Sequence, residues 1–263
     1  MAAWLFNWDD VWTKLVFSWK IHFTSNMVSL NSQHLYKATS IIFPSEYTEP
    51  IQLSMQSKED FVASLSYDKE IERAKWFKND LEKGGWKEVH KSPGKIYWSK
   101  TFPEEEVPIK VLSLYDMPLS PKMFMDLFES EHLDKRNKWD QVFVDHETVE
   151  TYPDQGVVRF MRYPSSFPLW DRSFLLYYPH TKEIDWFGKR AFIQIQKNAW
   201  HPSKLEGADG LVRVTNGGNF TVIIPDETNP DAACTLFSLS TNNYNGWLPK
   251  KNIEWLIGSC CFV

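Results

Sequence analysis

Seven histidines, at positions 22, 34, 90, 132, 146, 180 and 201, and three cysteines, Cys234, Cys260 and Cys261, are the natural candidates for metal binding or nucleophilic attack. No two histidines lie three or four residues apart, the spacing that sets two imidazoles on one helical face. They read as surface or core imidazoles. Cys260 and Cys261 are adjacent, so a zinc site of paired Cys-x-x-Cys is excluded. Asp140, Asp145 and Glu147 lie close together, and Glu104-Glu105-Glu106 form an acidic run. Solvated charge explains both sets, and no acid–base pair is indicated. There is no Gly-x-Gly-x-x-Gly, no Walker loop, no His-Glu-x-x-His and no Gly-x-Ser-x-Gly. The sequence implies no catalytic residue, no metal and no cofactor.

The 263 residues are 43% hydrophobic and 24% charged, an ordinary composition for a folded chain with a substantial core. The 29 Lys and Arg against 34 Asp and Glu give a net charge of −5, so a global basic field for nucleic acid is lacking. No apolar run reaches the roughly 18 residues of a membrane span. The start shows no signal-peptide pattern, because Asp9, Asp10, Lys14 and Lys20 interrupt it. Free thiols and a cytoplasmic location are therefore expected, and the sequon Asn219-Phe220-Thr221 is expected to be idle.

The elements that must position any site follow from hydrophobic spacing. Trp4, Trp8, Val11, Trp12, Leu15 and Trp19 predict an aromatic amphipathic helix over residues 1–23. Ser57-Lys58-Glu59-Asp60 resembles a capping box and predicts a second helix, stopped by Gly84-Gly85. Three strands follow, Trp86–His90, Lys95–Ser99 and Ile109–Tyr115, then a short helix opened by Ser120-Pro121. Further strands are predicted at Phe143–Val149, Val157–Arg162, Arg172–Tyr178, Ala191–Gln196, Gly210–Thr215, Phe220–Ile224 and Thr235–Ser240. Pro249 opens a last helix. Sequential strands with short turns imply an antiparallel sheet and an α+β fold. A long curved sheet closed by a terminal helix encloses space for a ligand. The predicted organisation is an N-terminal aromatic extension, residues 1–56, and one domain, residues 57–263.

Five segments, in order, resemble the START (StAR-related lipid-transfer) domain family. They are Trp86-Lys87-Glu88-Val89 with Pro93-Gly94-Lys95-Ile96-Tyr97; Arg136-Asn137-Lys138-Trp139-Asp140; Pro168-Leu169-Trp170-Asp171-Arg172-Ser173-Phe174; Gly210-Leu211-Val212-Arg213-Val214; and Gly246-Trp247-Leu248-Pro249. The resemblance implies a helix-grip fold: a curved antiparallel β-sheet around a C-terminal helix, with an internal lipid tunnel. It implies non-enzymatic binding and transfer of one lipid, nearest in motif to the phosphatidylcholine-transfer type, with transient peripheral membrane contact and no nucleic acid partner.

By the same resemblance, Arg136 and Asp140, with Trp139 between them, lie near the lipid head, where a planar guanidinium suits a phosphate. Arg172 beside Asp171 is a second candidate pair. Phe160 and Phe174 fall near cage-like aromatic positions, but Gly217-Gly218 stand where a cage tyrosine would sit. The alternatives are a sequestering or sensing module for a sterol, pigment or other apolar molecule, and a helix-grip cyclase or hydrolase using Tyr97, Tyr177 or His146 as an acid. The loop 198–209, with Trp200 and Leu205, and the loop Pro164–Pro168 are candidate gates. The aromatic helix 1–23 is expected to complete the lid or to pack beside it.

Overall fold

The computed structural model describes residues 66–128, 145–163, 171–207 and 210–246, all within the compact unit Ser54–Val263. The aromatic helix expected over residues 1–23, the capping box at Ser57, the candidate gate Pro164–Pro168, the terminal helix from Pro249, and Cys260 and Cys261 lie outside these residues.

Helix α1 spans Tyr67–Lys83. Ser66, in an extended conformation, accepts the Lys69 N–H at 3.4 Å, while Asp68 and Glu70 place negative charge in the first turn. Gly84 ends the helix at φ 89°, donating its N–H to the Leu81 carbonyl at 3.1 Å. The extended conformation at Ser66 sets the N-terminal boundary of α1, and the start expected at Ser57 lies outside the described residues. Helix α2, Pro121–Phe128, is capped as expected: Ser120 Oγ accepts the Met123 N–H at 3.2 Å.

Thirteen strands are present among the described residues. They are β1 (Lys87–Ser92), β2 (Lys95–Thr101), β3 (Ile109–Met117), β4 (Asp145–Tyr152), β5 (Gly156–Tyr163), β6 (Arg172–Pro179) and β7 (Lys182–Trp186), followed by β8 (Lys189–Asn198), β9 (Val212–Arg213), β10 (Thr215–Asn216), β11 (Asn219–Pro225), β12 (Cys234–Ser240) and β13 (Asn242–Asn243). Eleven form one curved sheet in the order β1-β2-β3-β12-β11-β8-β6-β5-β4, with β7 on β8 and β9 on β6. Neighbours are antiparallel except for β9, which runs parallel to β6. The expected strand Gly210–Thr215 is thus two short strands, because β9 follows β6 while β10 turns away to pair with β13. Strand β7 was not anticipated; its Ile184 and Trp186 face the core while Glu183 and Asp185 face water.

The main core lies between α1 and the sheet. Ala74 and Phe77 pack on Leu112, Ile193, Ile195, Phe220, Val222, Phe237 and Leu239. Each such large side chain contributes about 1.5–3 kcal/mol by burial. Polar contacts fix how α1 lies on the sheet. Buried Glu70 pairs with Lys197 of β8 at 2.5 Å and with Arg73 at 3.2 Å. Arg73 in turn donates to the Gly218 and Gly217 carbonyls at 2.9 and 3.2 Å. No described helix is long and apolar enough to cross a membrane.

Candidate ligand-binding site

Residues paired across antiparallel strands point to the same side of a sheet. The strand registers therefore divide the sheet into the face that meets α1 and an opposite, distal face. On the α1 face, the central strands carry Ile193, Val222, Phe237 and Leu239, which are 0–1% exposed. On the distal face the same strands carry Phe192 and Gln194, Thr221, and Ser238, all only half-buried. The distal face is mixed: Ile223 and Leu236 are 0% and 4% exposed, while the polar Gln194, Thr221 and Ser238 and the ring of Phe192 keep some exposure.

The distal face has an ordered pattern. Tyr97 pairs with Ser113, Ser113 with Ser238, Ser238 with Thr221, and Thr221 with Gln194. Five strands, β2, β3, β12, β11 and β8, thus contribute one continuous row of uncharged polar groups. The adjacent row, Tyr115, Leu236, Ile223 and Phe192, is largely apolar. Towards the other end of the sheet, Met161, Tyr163, Phe174 and Leu176 cluster with Val214, and Tyr178 and Tyr244 pack beside them.

The predicted residues separate on this frame. Arg172 and Phe174 lie on the distal face, where Phe174 stacks edge-on to Tyr163 with centroids 4.9 Å apart. Phe160 lies on the α1 face, in a cluster with Val158, Leu175 and Tyr177, beneath Lys204 at 4.7 Å and Arg213 at 5.7 Å. The two cage-like aromatics therefore do not converge. Asp171 pairs with Arg162 at 2.7 Å rather than with its neighbour. The Arg172 guanidinium donates instead to the Tyr244 and Asn245 carbonyls at 3.4 and 3.3 Å. Burial, opposed by the nearby Asp171 charge, lowers its pKa. Arg172 thereby ties the start of β6 to the segment after β13. Arg136, Trp139 and Asp140 lie outside the described residues.

Arg159 escaped sequence reasoning. It sits mid-strand in β5 on the distal face, opposite Leu176 and Thr148, and is 5% exposed. Its signal was a lone charge inside the apolar run Val157-Val158-Arg159-Phe160-Met161, since a charge is buried only where the fold provides for it. Of the three acids considered for an enzyme, Tyr97 and His146 are on the distal face. Tyr177 is on the α1 face, donates to the Gln155 carbonyl at 2.8 Å, and is pushed up to about 12 by burial and by Tyr67.

The Gly217-Gly218 pair also has a structural reason. A β-carbon on Gly217 would lie 2.7 Å from Thr241 Oγ1, and Gly218 has φ +90°. These glycines let Arg73 approach the backbone. Asn219 of the sequon is buried in β11, its amide spent on Gln196, Asn242 and the Thr241 N–H, so it offers no glycan acceptor. In the loop after β8, Trp200 packs on the Phe160 cluster, while Leu205 is 45% exposed. Lys204 and Glu147 bridge this loop to β4 at 2.5 Å. No described group of three or more His, Cys, Asp or Glu is arranged to hold a metal.

Known structures share this architecture. Human StAR-related lipid transfer protein 5 superposes with a TM-score of 0.60 at 16% identity, covering 76% of this chain and 91% of that one. Human STARD10 gives 0.59 at 17% identity, covering 74% and 77%. The human StarD13 (DLC2) lipid transfer and protein localization domain gives 0.56 at 17% identity, covering 75% and 93%. At these identities the likeness establishes the fold. Comparison with curated protein sequences gives no match. The START domain family model matches residues 66–262, three quarters of the chain, and the chain belongs to that family.

Proposed function

We propose that this chain binds one lipid against the distal face of its sheet and carries it between membranes without chemical change. The make-up of the distal face supports this reading: half-buried Phe192, Gln194, Thr221 and Ser238 lie there beside the buried aliphatics Ile223 and Leu236. Exchange of acyl chains between bilayer and protein is nearly neutral, because each methylene, worth about 0.8 kcal/mol, is buried in both places. Selectivity then rests on polar contacts. A phospholipid is the ligand we favour, with Arg136 and Asp140 at its phosphate and Trp139 beside them. Arg172 holds the wall of the site, and Phe174 with Met161 and Leu176 supplies apolar surface.

Residues 57–263 carry the function and residues 1–56 extend it. The protein works in the cytoplasm and meets membranes only transiently. Native mass spectrometry of protein purified from cells, with identification of the bound molecule, is the direct test. A phospholipid in one-to-one stoichiometry supports the proposal, and its loss in Arg136→Ala supports the head-group assignment. A sterol or pigment would shift the reading to a sensing or sequestering module, which the uncharged polar row on the distal face favours over an enzyme. Turnover of a substrate by the unliganded protein would refute it.

A further inference from the structure

We propose that Ser113, Ser238, Thr221 and Gln194 form a neutral anchoring subsite for an uncharged oxygen of the bound lipid, an ester or amide carbonyl or a hydroxyl. This rests on the reading that a lipid lies against the distal face.

The four residues occupy directly paired positions on β3, β12, β11 and β8, the middle of the sheet. Mid-sheet positions facing a protein interior are ordinarily aliphatic, as they are on the α1 face of these same strands. Fold stability accounts for the polar groups next to the row. Ser240, Asn219 and Gln196 belong to an amide network in which Asn242 donates to Ser240 Oγ at 3.1 Å and Asn219 to Gln196 Oε1 at 3.4 Å. That network also takes up the Thr241 N–H at 2.8 Å, and so fixes the turn into β13.

The row itself is committed far less. Ser238 Oγ donates to Thr221 Oγ1 at 3.0 Å, which leaves the Thr221 hydroxyl proton and the two Gln194 amide protons to be directed outward. Thr221 and Gln194 are half-buried, and so remain accessible.

Hydroxyl and amide groups satisfy a carbonyl or hydroxyl in an apolar setting, but they cannot neutralise a phosphate. The row therefore suits the linkage level of a lipid, between charged head and chains, or the lone hydroxyl of a sterol. Half-buried Phe192, in the flanking row with the buried Ile223 and Leu236, then offers apolar surface to the hydrocarbon on one side.

Vesicles of a diester phosphatidylcholine, and of its diether analogue with identical head and chain lengths, separate the carbonyl from everything else. Cholesterol and its 3-methyl ether do the same for the hydroxyl. Wild-type protein should take up one oxygen-bearing partner about fivefold better than its matched analogue, the value of one neutral hydrogen bond. The double variant Thr221→Val with Ser238→Ala removes both members of a bonded pair, leaving no orphan. Its discrimination should fall to about one, with uptake of the analogue unchanged. Gln194→Met should lower discrimination in the same direction, and serves if the double variant does not fold.

Uptake without discrimination in both pairs overturns the subsite while leaving lipid binding intact. Discrimination that survives both variants overturns it equally. Failure to take up any of the four lipids overturns the lipid-binding reading and the subsite together.

Discussion

Arg73 Nη1 donates to the Gly218 carbonyl at 2.9 Å, and a β-carbon added to Gly218 would lie 2.9 Å from the same nitrogen. The backbone of β11's approach and the guanidinium of α1 thus occupy a space that only glycine leaves open. Gly218 also has φ +90°, a region costly for other residues. Gly218→Ala should destabilise the protein by about 1–3 kcal/mol. Thermal unfolding should show the midpoint falling by about 2–4 °C per kcal/mol in a domain of this size. An unchanged midpoint would mean that Arg73 relocates freely and does not hold α1.

Glu70 is the second half of that attachment. Its side chain is 7% exposed and meets Lys197 at 2.5 Å and Arg73 at 3.2 Å. Removing the charge leaves two cations facing a neutral amide, so Glu70→Gln should cost about 2–3 kcal/mol by urea unfolding. Combining it with Lys197→Met should cost less than the sum of the two single changes, because the pair is coupled. Strict additivity would show that the contact contributes nothing specific.

These contacts explain which parts of the molecule sequence could reveal. The Ser120-Pro121 start was legible because capping is local. The cap of α1 at Ser66 escapes sequence reading, although Asp68 and Glu70 follow it; Glu70 then meets Lys197 on β8, a contact no local signal shows. Hydrophobic runs place most strands, but they do not show which residues share a face. Phe160 and Phe174 are both apolar positions on paired strands. They part only because the register sets Met161, not Phe160, opposite Phe174. The polar row from Ser113 to Gln194 joins strands scattered over some 125 residues of sequence and becomes visible only once register is known. Gly217-Gly218 read as a missing aromatic because Arg73, which fills their space, is 145 residues from Gly218 in sequence.

Asp80 joins the end of α1 to the first hairpin, accepting from Lys100 at 2.7 Å and from Trp86 Nε1 at 2.9 Å. Burial alone would raise its pKa, but the hydrogen bonds from Lys100 and Trp86 outweigh this and lower it. A lowered folded pKa stabilises the native state above the unfolded value of about 3.9, and that stabilisation is lost as pH falls through the folded value. Asp80→Asn should therefore be less stable than wild type by about 1 kcal/mol at pH 7. The two proteins should converge below about pH 3.9. Urea unfolding at pH 7, 5 and 3 checks this, and a gap that widens in acid would contradict it.

Arg172 reaches from β6 to the Tyr244 and Asn245 carbonyls, just ahead of the Gly246-Trp247-Leu248-Pro249 motif. Arg172→Met removes these donors while keeping most of the buried stem. Amide hydrogen exchange in residues 242–246 should speed up by about tenfold, the value of one to two such bonds, while β11 is unaffected. If Arg172 is a ligand contact alone, exchange in this segment will not move and only lipid retention will fall.

Cys234 closes the distal face at the far end of β12, opposite Met117, and is 2% exposed. Burial pushes its thiol up to about 12. The unfolded thiol ionises near 8.5, so between there and the folded value the unfolded chain binds fewer protons than the native one. Stability is then level below about pH 8.5 and falls above it, by up to about 1.4 kcal/mol per pH unit. Tyr177, also pushed up to about 12, adds to this loss only above its unfolded value of about 10. In a background with Cys260 and Cys261 replaced by serine, Cys234→Ala should be less stable at pH 7 through lost packing, yet lose little more between pH 8.5 and 10. Its Cys234 counterpart should lose about 1–2 kcal/mol over the same interval. Parallel alkaline limbs would show that the thiol ionises in the folded state, and hence that water reaches this end of the face.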